Sequence, residues 1–211
     1  GLELDGVNDY MITSNLFSAF PGTDLTVELW FKANAAGVIV DELGQTTINS
    51  GWHDSQIEIL GTGEVRVRVW SLPSVSLGTT TFGAWHHAVV RYNSGLSRLD
   101  GMLDGVPSGS FVTGSRSVTG AQYYAFGPTD ASNLGSGAYF NGTIEEVRIW
   151  NVARTNAQIQ ANMNCDIPQQ SNLVAYYRFN EGTPGGTNTG FVNAFDYSGN
   201  ANCGALVNMA L

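Results

Sequence analysis

Positive charge is scarce in this sequence: Lys and Arg together number 9 against 18 Asp and Glu, for a formal net charge of -9. Binding to phosphate backbones or to an anionic membrane surface needs a basic footprint, so neither nucleic acid nor a membrane surface is expected as a partner. Long apolar runs are missing as well. No segment approaches the roughly 20 residues that a helical span of a bilayer requires, so membrane insertion is not expected. Histidine occurs only at His53, His86 and His87. No His-Glu-x-x-His, Cys-x-x-Cys or Gly-x-Ser-x-Gly pattern is present, which removes the usual sequence signs of a zinc centre or an activated serine.

Cysteine is limited to Cys165 and Cys203. In a chain with 13% charged residues and abundant Asn, Gly and Thr, we expect the two to form a disulfide, which implies an oxidising location outside the cytoplasm. Closing a loop of that length would add roughly 3 to 4 kcal/mol by constraining the unfolded chain. No leader peptide precedes Leu2-Glu-Leu-Asp5, so the sequence is expected to be a mature domain of a longer secreted or cell-surface protein.

Hydrophobic residues make up 43% of the chain and aromatics 11%, ample for a core, and 26 glycines suit many tight turns. Apolar and polar residues alternate in short runs, broken roughly every 8 to 12 positions by Gly, Asn, Asp or Pro, the pattern of an antiparallel sandwich. The clearest runs are Leu25 to Ala33, Val38 to Glu42, Gln56 to Leu60, Glu64 to Trp70, Trp85 to Asn93, Ser97 to Leu103, Tyr123 to Gly127, Gly142 to Trp150 and Leu173 to Arg178. Asp104-Gly105 supplies the positive φ angles of a type I′ hairpin, and Gly61-Thr-Gly63 separates two alternating runs. One segment breaks the pattern: Thr155 is a candidate N-cap for a short helix through Met163. With no linker in sight, residues 1–211 read as one all-β domain.

Three segments stand in a set order: Leu4-Asp-Gly-Val-Asn-Asp-Tyr-Met11, Gly83-Ala-Trp-His-His-Ala-Val-Val-Arg-Tyr92, and the run from Phe140 through Glu145-Glu146-Val-Arg-Ile-Trp150 to Thr155. Together they resemble bacterial laminin-G-like, pentraxin-like domains of the concanavalin A-like lectin/glucanase superfamily, over nearly the whole chain. The resemblance implies a two-sheet antiparallel jelly roll with one short helix. It implies binding of a glycan or a partner surface as the usual task. Trp30, Trp85 and Trp150 are assigned to packing, and the His86-His87 strand to structure.

Enzymes of such a fold place acidic residues at alternating positions of one strand, because both carboxyls must flank one glycosidic bond. That pattern is absent. Glu145 and Glu146 are adjacent and should face opposite sides, while Asp41-Glu42, Glu58 and Glu64 lack a same-face partner in sequence. We therefore expect no enzyme, and keep a glycoside hydrolase only as an outlier.

Asp5-Gly-Val-Asn8-Asp9 gathers oxygen ligands round a glycine turn, as calcium requires. The resemblance implies that one structural calcium joins this segment to an acidic residue on a late strand, here Glu145. The alternative is that Asp5 and Asn8 only cap a turn.

For a ligand, Arg66, Arg68 and Trp70 alternate with Val65, Val67 and Val69, which places two guanidinium groups and an indole on the face away from the core. Such a row can bind a polysaccharide, including an acidic one, by bidentate hydrogen bonds and stacking. It can equally be an ion-pair network with Glu58, Glu64 and Asp100. Trp52 and His53 in a Gly-flanked loop, and Arg91 on a neighbouring strand, complete the candidate set. The expected function is a lectin-like carbohydrate-binding domain, carried for instance beside a polysaccharide-degrading enzyme. The alternative is a structural or adhesive domain that binds protein or acts as a spacer.

Overall fold

The computed structural model describes residues 1–118, 121–130, 137–183, 188 and 190–209. In chain order the strands are β1 (Leu2–Asp5), β2 (Tyr10–Thr13), β3 (Leu25–Ala33), β4 (Gly37–Leu43), β5 (His53–Ile59), β6 (Glu64–Val67), β7 (Val75–Thr79) and β8 (Trp85–Asn93). They continue as β9 (Arg98–Leu103), β10 (Val106–Pro107), β11 (Val112–Thr113), β12 (Tyr123–Phe126), β13 (Asn141–Trp150), β14 (Leu173–Tyr177), β15 (Asn193–Ala194) and β16 (Gly204–Val207), with one helix, α1 (Asn156–Asn162), after β13. Two antiparallel eight-stranded sheets result, a jelly-roll sandwich. The first runs β1-β13-β3-β8-β9-β10, with β14 on β13 and β11 on β9; the second runs β15-β16-β2-β12-β4-β5-β6-β7.

Alternation decides which side chains fill the space between the sheets. Val27, Leu29 and Phe31 of β3, Val90 of β8 and Ile149 of β13 meet Val40, Ile57, Val65, Val67 and Phe126 in one cluster of buried residues. Burying each such side chain contributes on the order of 2 kcal/mol. The Asp104-Gly105 turn forms as expected, with φ of 50° and 76° and Leu103 opposite Val106.

The helix begins at the expected cap. Thr155 accepts from the Gln158 amide, and the Gln158 side chain accepts from the Thr155 amide. Its Ile159 packs on Val89 and Met102, on the outer face of the first sheet. Arg91 ties this helix down: it donates to the Arg154 carbonyl at 2.7 Å and to Asn156 at 2.8 Å, and pairs with Asp100 at 2.7 Å.

Several expectations need correction. Cys165 and Cys203 form no disulfide; both are free and exposed. Cys165 follows α1 on the outer side of the first sheet, while Cys203 precedes β16 in the second. Glu145 and Glu146 do not face opposite sides. The pairing of β13 with β3 jumps from Glu145–Trp30 to Arg148–Glu28, and Glu146 sits at φ 52° in this bulge, which turns both carboxylates toward one cleft. Trp85 is not a packing residue, being 39% exposed, whereas Trp150 is buried. Finally, β6 stops at Val67, and His53 opens β5 instead of lying in a loop.

Candidate functional site

The central strands of the second sheet build the site. In their register Asp41 lies opposite Ser55 and Ala125, and Leu43 opposite His53 and Tyr123. Paired residues share a face, so Asp41, His53 and Ser55 emerge on the side of Leu43 and Ala125, away from the main core. Asp130 arrives from the segment after β12. Its carboxylate meets His53 Nδ1 at 2.8 Å and accepts the Ser55 amide at 2.7 Å.

One ligand atom each from Asp41, His53 and Asp130 lies within 4.8 Å of the others. Asp41 Oδ1 accepts the Asp54 amide at 3.0 Å, and Asp41 Oδ2 is buried without a hydrogen-bond partner among the described residues. Asp41 and Asp130 are fully buried. Burial, and then the charge of Asp130, push the Asp41 carboxyl well above the usual range. Burial also raises Asp54 to about 7, against the pull of Arg68, whose Nε stands 2.7 Å from it. Arg68 Nη2 is 3.9 Å from Asp130 as well. Three carboxylates thus share one guanidinium and one imidazole, an arrangement that a cation would neutralise.

Behind this group, on the core side, Glu42 is fully buried with Arg116, Gln56, Gln122 and Tyr124 as partners. This network fixes β4, β5 and β12 from beneath. Removing one member would leave a buried charge unpaired.

Two indoles flank the group. Trp52 precedes His53 and Trp70 follows Arg68, and their rings meet at 6.1 Å in an edge-on arrangement. Trp70 is 42% exposed and Trp52 half-buried. The ladder continues past Val67, since the Arg68 amide still donates to the Gln56 carbonyl. Trp52, His53, Arg68 and Trp70 are therefore brought together. Arg66 is not part of this group: it pairs with Glu64 at 2.9 Å and lies opposite Glu58. Arg91 belongs to the other sheet, where it clamps α1.

Of the residues expected to hold calcium, Asp5, Asn8 and Asp9 share one turn, and Glu145 stands apart from them. Asp5 lies opposite Asn141, four positions along β13 from Glu145, which is about 13 Å at roughly 3.3 Å per residue. Asp5 caps its own turn by accepting the Val7 amide at 2.7 Å, Asn8 is exposed, Asp9 accepts the Asp5 amide at 3.4 Å, and Glu145 meets the chain's amino group at 3.1 Å. Asp41, Asp54 and Asp130, absent from the sequence-based set, are the acidic residues that do converge. Asp41 looked partnerless because its partners come from other strands.

Several solved structures share this fold at low identity. A Bacteroides ovatus protein described as carbohydrate binding superposes with a TM-score of 0.61 at 17% identity, over 98% of this chain; the chain spans only 59% of that protein. A heptameric SAP-like pentraxin from Limulus polyphemus gives 0.59 at 16% identity, covering 86% of this chain and 88% of its own. The CBM40 of Ruminococcus gnavus IT-sialidase, bound to α2,3 sialyllactose, gives 0.55 at 14% identity, covering 76% and 95%. No curated protein matches the sequence. A family model described as the Concanavalin A-like lectin/glucanases superfamily matches residues 5–160.

Proposed function

Because this chain belongs to the Concanavalin A-like lectin/glucanases superfamily, we propose that it is a carbohydrate-binding domain of a secreted or cell-surface protein, binding its glycan beside Trp52 and Trp70. The observation that carries this reading is the convergence of two indoles with the Asp41, His53 and Asp130 group and Arg68 on one face of the second sheet. Indoles stack against sugar rings, and buried carboxylates held at fixed positions orient a cation or hydroxyls. The fold likeness to a protein described as carbohydrate binding and to a sialyllactose-bound CBM40 is compatible with it.

Asp41, His53 and Asp130 fit a divalent cation better than the residues around Asp5. The unpartnered Asp41 Oδ2 gives an oxygen ligand, Asp130 a second, and His53 a nitrogen. One imidazole with two carboxylates suits a borderline ion such as Mn²⁺ or Zn²⁺, and more oxygens would be needed for calcium. When bound, the ion would supply charge neutralisation among the buried carboxylates and so fix the strands that carry the indoles. Arg68 would offset the repulsion between Asp54 and Asp130, and Trp70 would present its exposed face to the sugar.

Binding is proposed in preference to hydrolysis because these carboxylates are buried and engaged by His53, Arg68 and backbone amides. The competing reading, a structural or adhesive domain, draws on the ion pairing of Arg66 with Glu64. Retention on a panel of neutral and acidic polysaccharides, with divalent cations and then with chelator, separates the two. Cation-dependent retention that Trp70→Ala abolishes supports the glycan reading; no retention by the folded domain favours the structural one.

A further inference from the structure

The outer face of the first sheet carries a second cleft, of about 390 Å³, on the opposite side of the sandwich from the site above. Trp30, Trp85 and Met163 give it apolar lining, and Glu145, Glu146 and Asp166 give it carboxylates. Among the described residues, no Lys or Arg lines it. The volume falls in the range of small-ligand pockets.

Each wall is held in place. Trp30 donates its indole N–H to the Met163 carbonyl at 2.7 Å, which fixes the ring between β3 and the end of α1. Glu146 accepts from Arg148 at 2.9 Å and from the Tyr176 hydroxyl, and Asp166 pairs with Arg178. Neither arginine is among the described residues that line the cleft. Glu145, by contrast, has the chain's amino group as its ion partner, at 3.1 Å.

The bulge that turns both glutamates into the cleft holds a non-glycine residue, Glu146, at φ 52°. That backbone state is strained and persists where the surroundings impose it, often at binding sites. Lys32 Nζ, 5.6 Å from the centre of the Trp85 ring, already shows that the indole wall attracts an ammonium group.

We propose that this cleft binds a 2-amino sugar, its ammonium group set against Glu145 and its ring against the exposed indole of Trp85. A pyranose ring has a flat C–H face to lay on an indole, and its hydroxyls find acceptors in Glu146 and Asp166. A plain alkyl ammonium would leave those acceptors unused. The inference does not depend on the glycan reading of the other sheet.

Titration of the whole domain with glucosamine, N-acetylglucosamine and Nα-acetyl-lysine methylamide, followed by tryptophan fluorescence and by NMR shifts of the Trp30 and Trp85 indole N–H, tests it. Glucosamine should saturate at millimolar concentration, with the neutral N-acetyl sugar and the lysine probe each at least about tenfold weaker. Glu145→Gln and Trp85→Ala, both at half-buried or exposed positions, should each weaken glucosamine by about tenfold without shifting the melting temperature, and Trp70→Ala should leave it unchanged. Equal binding of the N-acetyl sugar, tighter binding of the lysine probe, no saturable glucosamine response, or indifference to Glu145→Gln would each overturn the proposal.

Discussion

Trp52 and Trp70 meet edge to face with ring centres 6.1 Å apart, although one precedes β5 and the other follows the end of β6. The pairing of β5 with β6, Ile57 opposite Val67, brings the two strand ends side by side, which lets the indoles meet. This pair frames the proposed glycan site.

Trp70→Ala should abolish retention on the glycan that the domain binds. With Trp70 42% exposed, stability should move by no more than about 0.5 kcal/mol. Affinity electrophoresis beside a thermal melt reads both quantities. A variant that still binds with full affinity places the sugar elsewhere.

Asp41→Asn should stabilise the cation-free domain, because a buried carboxylate crowded by Asp130 and Asp54 becomes neutral while the acceptor for the Asp54 amide remains. The gain should be about 1 kcal/mol. The same variant should lose the melting shift that a saturating divalent cation gives the parent domain, a shift worth about 2.7 kcal/mol at a hundredfold excess over Kd. Calorimetry with Mn²⁺, Zn²⁺ and Ca²⁺ checks both effects.

Arg91→Ala should leave glycan binding untouched and lower stability by about 1 to 2 kcal/mol, since the start of α1 loses two hydrogen bonds and Asp100 keeps only Arg98, at 2.8 Å, as an ion partner. Chemical denaturation and the polysaccharide panel give the two readouts. Loss of binding at full stability would return Arg91 to the site.

His87 should remain neutral at pH 5. Burial first, and then the charge of Arg148, lower its pKa from 6.5 to about 3. Below about 6.5 the unfolded chain takes up a proton at this residue that the folded chain refuses. This contribution to stability is therefore complete above pH 6.5 and is lost as pH falls toward 3. Imidazole nitrogen shifts measured against pH test it directly; a titration near 6.5 would show that His87 is not buried as described.

Much of this fold was legible in residues that interact within a turn or a strand. The Asp104-Gly105 hairpin, the Thr155 cap and the Val65, Val67, Val69 core stripe are local patterns, and each took the expected form. The candidate site was only half legible. Trp52, His53, Arg68 and Trp70 could be picked out as aromatic and polar residues with no core to fill, but Asp41 and Asp130 could not. Their meeting depends on β4 lying between β5 and β12, which no local spacing encodes.

The sequence by itself determined the class of fold, because alternation with a period of two and turn residues at short intervals leave few other ways to bury so much apolar surface. Tertiary structure alone decided which charges meet. It joined Asp41, His53 and Asp130 across three segments, kept Cys165 and Cys203 apart, and turned Glu145 and Glu146 to one side through a bulge. The physical reason is that a strand's hydrogen bonds are satisfied by whichever strand lies beside it, so register and neighbours are set by packing across the whole sandwich.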